Sequence, residues 1–266
     1  VLSVQERELY QSNSLTQSLT EVFVSVGKVA YESETPICFF IDEIQYMKSN
    51  ELGSLIAALH RTNQLGYPIM IVGAGLPKII RMLSEEKSYA ERLFMYREIG
   101  SLTEDQSATA IVEPAKKFGV SYTQDAIKEI INVTKGYPYF IQQLCQVVYN
   151  KTDGEIIDVA DVEYCLPLFF HTLDKAFFKA RYERCSDSEK KFLFAMVKCG
   201  ELPCTIANIA KNLKKNTQNI SPARAKLIDK GIIYSTRYKQ LDFTVPEFTG
   251  FIQRLDEYKG WLENTE

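Results

Sequence analysis

Two acidic residues, Asp42 and Glu43, follow directly on the uninterrupted apolar run Ile37-Cys38-Phe39-Phe40-Ile41. Adjacent carboxylates can divide two tasks. One associates with a divalent cation through water, and the other polarises an attacking water molecule. Placement matters as much as residue type, because an open α/β sheet gathers its ligand chemistry at the carboxyl ends of its strands. A strand simply leaving for solvent gives the same residues, so the pair takes its meaning from its surroundings. The second concentration of chemistry is basic. Between Thr205 and Gln240 stand eight cations (Lys211, Lys214, Lys215, Arg224, Lys226, Lys230, Arg237, Lys239) against one acid, Asp229. Such a density attracts a phosphate backbone in a salt-dependent way, or an acidic protein surface.

Composition limits the setting. The chain has 266 residues, 45% apolar and 24% charged, with a net charge of −3, which excludes a protein that coats nucleic acid along its whole surface. No apolar run approaches the roughly 20 residues that span a bilayer, and the start of the chain lacks a basic-then-apolar signal pattern, so a cytoplasmic protein without a membrane partner is expected. The six cysteines form no Cys-x-x-Cys pair and the two histidines lie far from them, so no zinc site is expected. Cys38, Cys145 and Cys165 sit among apolar neighbours and read as reduced core thiols. The chain opens on Val1, which fits a fragment, a processed form or a trimmed chain.

The elements that must position these residues follow from periodicity. Leu15, Leu19, Val22, Phe23, Val26 and Val29 recur at helical spacing. The run 37–41 has strand length and predicts a strand buried on both faces. A helix through Leu52, Leu55, Ile56 and Leu59 follows, then a second buried strand from Pro68 to Val72 that closes in Gly73-Ala74-Gly75, then a helix opened by Pro77. Strand, helix, strand, helix with short connections predicts a parallel sheet. After Ile99-Gly100 only helices are expected, over about 103–118, 123–135, 137–150 and 156–182, with Thr103 and Thr123 as N-caps. From Ser186 the pattern gives helices at 187–199, 205–214 and about 217–230. The apolar stretches Ile232–Tyr234 and Leu241–Val245 follow, flanking a polar turn. Three helices and a hairpin make the winged form of helix-turn-helix. The expected division is 1–100, 101–182 and 183–266.

This order resembles the AAA+/STAND class of P-loop ATPases, particularly bacterial and archaeal ATPases related to replication initiators. The resemblance rests on Phe39-Phe40-Ile41-Asp42-Glu43-Ile44-Gln45, Val72-Gly73-Ala74-Gly75-Leu76-Pro77, Ser88-Tyr89-Ala90-Glu91-Arg92-Leu93-Phe94, Gly136-Tyr137-Pro138, and Lys230-Gly231-Ile232-Ile233-Tyr234 leading into Phe243-Thr244-Val245-Pro246. It implies a partial parallel-sheet ATPase core, an all-α lid and a C-terminal winged helix. It further implies Asp42 as the Mg²⁺-associated acid of a Walker B strand and Glu43 as the general base. Gly73 and Gly75 occupy the place of a sensor loop, although no polar side chain stands there. Gly136-Tyr137-Pro138 is the turn expected to pack against adenine, or an ordinary helix start. Arg92, with Arg97 as runner-up, lies where such families place an arginine finger, or is a solvated cation.

One part of the expected machinery has no counterpart. G-x-x-x-x-G-K-[S/T] supplies the backbone nest and lysine for the phosphates. Gly27-Lys28 is followed by Val29 and lacks the earlier glycine, and Gly73–Lys78 has the wrong spacing. In the family that element precedes everything seen here. ATP or ADP with Mg²⁺ is therefore expected in a full-length protein, with neither tight binding nor hydrolysis by these residues alone.

In the third helix of the basic segment, Ile220, Ala223, Leu227 and Ile228 form the expected buried face, leaving Asn219, Arg224, Lys226 and Lys230 outside, with Arg237 and Lys239 in the wing. Double-stranded DNA is one partner these residues suit. A protein partner, a further copy of the chain, or packing of the module over the nucleotide are the others. Two functions follow: a nucleotide-driven ATPase switch coupled to DNA or a partner, and a non-catalytic winged-helix module whose ATPase core is a relic.

Overall fold

The computed structural model describes residues 15–86, 90–237 and 239–264, and the chain divides into two compact units, up to Glu98 and from Ile99 onward. In the first unit the chain forms α1 (Leu15–Glu32), β1 (Ile37–Ile41), a 3-10 turn (Ile44–Tyr46), α2 (Ser49–Gln64), β2 (Ile69–Gly73), α3 (Ile79–Glu86) and α4 (Ala90–Leu93). β1 and β2 are parallel and in register from Ile37↔Ile69 to Ile41↔Gly73. One face of this pair is covered: Phe39 stacks on Phe23 of α1 with ring centroids 5.1 Å apart, and Ile69 joins Leu52, Leu55, Ile56 and Leu59 of α2 in the core.

The other face departs from expectation. Phe40 is 80% exposed, Met70 58% and Val72 44%, so the strands are not buried on both faces. Side chains alternate along a strand, and register places Cys38, Phe40, Met70 and Val72 together on the side away from Phe39 and Ile71. The unbroken apolar run forms a strand, but an apolar sequence does not itself supply the second covering layer. Residues 94–103 form neither helix nor strand, and Ile99 is 93% exposed.

The second unit is mostly helical: α5 (Glu104–Lys116), β3 (Ser121–Tyr122), α6 (Gln124–Thr134), α7 (Pro138–Tyr149), β4 (Ile156–Ile157) and α8 (Val159–Leu173). Thr103 caps α5 in a reciprocal box, its Oγ1 accepting from Gln106 N while Gln106 Oε1 accepts from Thr103 N. Thr123 Oγ1 likewise accepts from Ala126 N at the start of α6. α8 continues through one π-helical turn, Asp174–Phe178, into α9 (Lys179–Glu183). Next come α10 (Asp187–Val197), β5 (Cys204–Thr205), α11 (Ile206–Asn212), α12 (Thr217–Asp229), β6 (Ile233–Arg237), β7 (Gln240–Phe243), α13 (Phe248–Arg254) and α14 (Asp256–Glu263). β5, β7 and β6 form an antiparallel sheet in that order, so the hairpin has a third strand that hydropathy did not announce.

One core runs through this unit. Phe178, on the π turn, meets Phe140 of α7 at 5.8 Å, Phe248 at 5.6 Å and Phe251 at 5.3 Å. The apolar interior is therefore continuous from Ile111 to Tyr258, across residues 182 and 183.

Candidate functional site

Parallel pairing in register brings the carboxyl ends of β1 and β2 to one edge. There Ala74 N donates to Ile41 O at 2.8 Å and Ile44 N donates to Ala74 O at 3.0 Å, stitching the turn after β1 to the loop after β2. Asp42 and Glu43 stand exposed at this edge. Asp42 Oδ1 accepts from Glu43 N at 2.8 Å. Glu43 itself adopts φ 51, ψ 37, a left-handed conformation that costs a non-glycine residue on the order of 1 kcal/mol or more. The strain is held by Gln45, which is only 3% exposed. Its Nε2 donates to Glu43 Oε2, and its Oε1 accepts from Leu76 N at 3.1 Å. Gln45 thus fixes the glutamate and joins both strand-end loops in one network.

The glycines of the second loop have a local reason. A Cβ on Gly73 would stand 3.1 Å from Ile44 Cδ1, and one on Gly75 would run into the Gln45 amide. The space next to them is occupied by Ile44 and Gln45. Among the described residues no cluster of three or more His, Cys, Asp and Glu could cage a metal. Asp42 offers one exposed carboxylate. That donor set fits magnesium, which keeps several waters and takes one or two carboxylates together with substrate phosphates. Arg92, in the last turn of α4, and Arg97 are both exposed. The quoted stretch from Ser88 lies partly outside the described residues, since 87–89 are not among them.

Within the second unit, Gly136 has φ +71 and lies between Lys135, itself left-handed, and Tyr137. Its carbonyl accepts from Leu102 N at 2.9 Å, and a Cβ there would come within 2.5 Å of Leu102 O. Pro138 is the first residue of α7, where a missing N–H costs nothing. Pro138 is exposed, while Tyr137 is half-buried with its ring 4.8 Å from Phe140. Gly136→Ala is expected to lower the stability of this unit by about 1–3 kcal/mol, read as a reduced midpoint in urea unfolding.

The basic residues fall into two groups. Asn219, Lys226, Arg237 and Lys239 are exposed. Asn219 N donates to the capping Asn216 Oδ1 at 2.8 Å, which places it in the first turn of α12. Arg224 is half-buried, with a buried Nε that has no partner. Lys230, expected outside, is turned inward. Its Nζ donates to Glu189 Oε2 and to Arg184 O, both at 2.6 Å. Glu189 is 1% exposed and also accepts from Ser186 N at 2.7 Å. A cation so committed satisfies a buried carboxylate and is not available to a phosphate backbone.

A family model described as a domain of unknown function (DUF8462) matches residues 175–252, which hold the basic segment but neither the acidic pair nor the Gly136 turn. No curated protein matches the chain. Among solved structures, the Walker-type ATPase of Pyrococcus abyssi is 14% identical, with 91% of this chain and 69% of that one covered and a TM-score of 0.65. The chain has the fold of that Walker-type ATPase. The Holliday junction branch migration motor RuvB of Thermotoga maritima is 16% identical over 93% of this chain and 74% of its own, at a TM-score of 0.47. Cdc6p of Pyrobaculum aerophilum is 16% identical over 91% and 70%, at 0.43. Within the Walker-type fold, the residue that sequence reasoning passed over is Gln45. The signal was a polar residue two places beyond Glu43 inside the otherwise apolar Ile44–Met47 stretch, apart from Tyr46.

Proposed function

We propose that the chain is the magnesium- and water-handling half of an AAA+/STAND-type ATPase switch, whose nucleotide state is coupled to a C-terminal winged helix. The observation that carries this reading is the acidic pair at the strand ends, with the Glu43 carboxylate oriented by Gln45 and anchored to the neighbouring loop. Asp42 would associate with Mg²⁺ through water, and Glu43 would orient and deprotonate the attacking water. Magnesium, when bound, would neutralise charge on the nucleotide phosphates. Gly136, Tyr137 and Pro138 would offer backbone approach and an apolar face to adenine, and Arg92, or Arg97, would act on a neighbouring copy's nucleotide. Residues 1–100, 101–182 and 183–266 would serve as core, lid and winged helix. Fold likeness to an ATPase supports the reading as analogy, and the chemistry rests on the residues.

The phosphate-binding half must come from a P-loop, and no such motif occurs in these residues. In a polypeptide that joins a P-loop to this chain, Gln45→Ala is expected to reduce ATP turnover about 10–100-fold, as outer-shell positioning residues do, with nucleotide affinity little changed. Unchanged kcat would remove Gln45 from the site.

For the winged helix, Asn219, Lys226, Arg237 and Lys239 support duplex DNA as the partner, whereas the inward Lys230 and half-buried Arg224 favour a packing role for that face of α12. Fluorescence anisotropy with random duplex at low salt separates them. DNA binding predicts micromolar or tighter association that weakens with salt and on Lys226→Glu. No association below high micromolar leaves the packing role.

A further inference from the structure

The second unit carries a guanidinium with no acid to meet it. Arg181 of α9 is half-buried, and its Cζ stands 3.7 Å from the centre of the Phe177 ring. Its Nη1 donates to Phe177 O at 3.0 Å. Among the described residues no carboxylate pairs with it, and its remaining N–H groups make no hydrogen bond within the protein. Arg184, three residues on at the end of α9, is an exposed cation that likewise has no ion pair among those residues. By contrast, Lys179 on the same helix is matched by Glu183 at 3.6 Å. A guanidinium taken partly out of water without an anion costs free energy that the anionic group of a ligand would recover.

Beside this cation lies a ring surface. The π turn Asp174–Phe178 sends Phe178 into the core and leaves its neighbour Phe177 half-buried, with the two rings 5.2 Å apart and nearly perpendicular. Tyr139 of α7 stacks on Phe177 at 5.1 Å and 21°. Tyr139 is 44% exposed and follows Pro138, itself exposed, at the turn that opens α7. Laid end to end, the two distances from Phe177 put the Tyr139 ring and the guanidinium at most about 9 Å apart, within the span of one nucleotide.

We propose that Tyr139, Phe177 and Arg181 bind a nucleoside phosphate, its base stacked on Tyr139 and its phosphate held by the Arg181 guanidinium. The proposal rests on the ATPase reading only in taking the ligand to be that ATPase's own nucleotide, and it extends the adenine-facing turn to residues outside Gly136–Pro138. Phe177 holds both contacts in place, since it backs the Tyr139 ring and carries the guanidinium over its face. Arginine suits this position better than lysine, because its planar fork stacks on a ring while its edge presents paired donors to phosphate oxygens.

The test titrates residues 1–266, without magnesium, with ADP, adenosine and inorganic pyrophosphate by isothermal titration calorimetry. ADP is expected to bind saturably in the high-micromolar range, at least about tenfold more tightly than adenosine or pyrophosphate, because only ADP engages ring and cation together. Tyr139→Ala should weaken ADP and adenosine alike, by about tenfold. Arg181→Gln should bring ADP down to the affinity of adenosine and leave adenosine unchanged. Arg181→Lys, which keeps the charge and an apolar stem over Phe177, should fall between the two. Lys226→Glu, on α12, should change none of these affinities. No saturable ADP binding below millimolar, ADP no tighter than adenosine, or binding lost with Lys226→Glu and kept with Arg181→Gln overturns the proposal. Those outcomes leave Glu43-dependent hydrolysis by the P-loop-joined form unaffected, and a failure of that hydrolysis leaves this binding unaffected.

Discussion

Glu43→Gln, in a polypeptide that carries these residues behind a P-loop, is expected to lower ATP turnover by about 10²–10⁴-fold. The substitution keeps the side chain's size and its contact with Gln45 while removing the carboxylate that would accept a proton from water. Nucleotide affinity should remain close to that of the parent, because in the proposed role Glu43 would act on the attacking water and not on the phosphates. Gln45, itself anchored by Leu76 N, holds the Glu43 carboxylate at this edge. A parallel fall in kcat and kcat/KM, measured by steady-state phosphate release, would place the lost interaction in the transition state.

Glu189→Ala is expected to destabilise the second unit by about 2–4 kcal/mol, measured by urea unfolding. Removing one partner of a buried ion pair leaves the other uncompensated, which costs about 3–5 kcal/mol when both are fully buried. Here Glu189 is 1% exposed but the Lys230 side chain 31%, so water recovers part of the loss. Ser186 N loses its acceptor as well, and with it the reciprocal cap of α10. Burial alone would raise the carboxyl, but the Lys230 and Ser186 hydrogen bonds outweigh it and hold Glu189 below the ordinary range. A depressed folded-state value means that the contribution is fully present above the unfolded carboxylate range and disappears as pH falls through the folded value. The difference in stability between wild type and variant should therefore shrink on acidification below about pH 4.

Much of the architecture was legible because local chemistry and periodicity agree. Thr103 and Thr123 cap the helices that their spacing announced, Pro138 opens α7, and Ile37–Ile41 is a strand. What escaped depends on contacts distant in sequence. The bare face carrying Phe40, Met70 and Val72 could not be seen, since an apolar run reports hydrophobicity and not the layers available to cover it. Lys230 was placed outside by helical phase alone, yet its partner Glu189 lies on another helix 41 residues away. Arg224 shows the same limit, because α12 buries its Nε without turning the whole side chain inward. At the acidic edge, Asp42 and Glu43 stand out by type, whereas Gln45 gains its role only when β2 brings Leu76 N alongside, 31 residues later.

The most direct test of the divided-site account is Mg²⁺-dependent ATP hydrolysis by purified residues 1–266, compared with the same chain joined to a P-loop. The account predicts no turnover above background for the chain alone, and turnover that depends on Glu43 once the P-loop is supplied. Glu43-dependent hydrolysis by residues 1–266 on their own, or hydrolysis by the joined form that ignores Glu43→Gln, would contradict it.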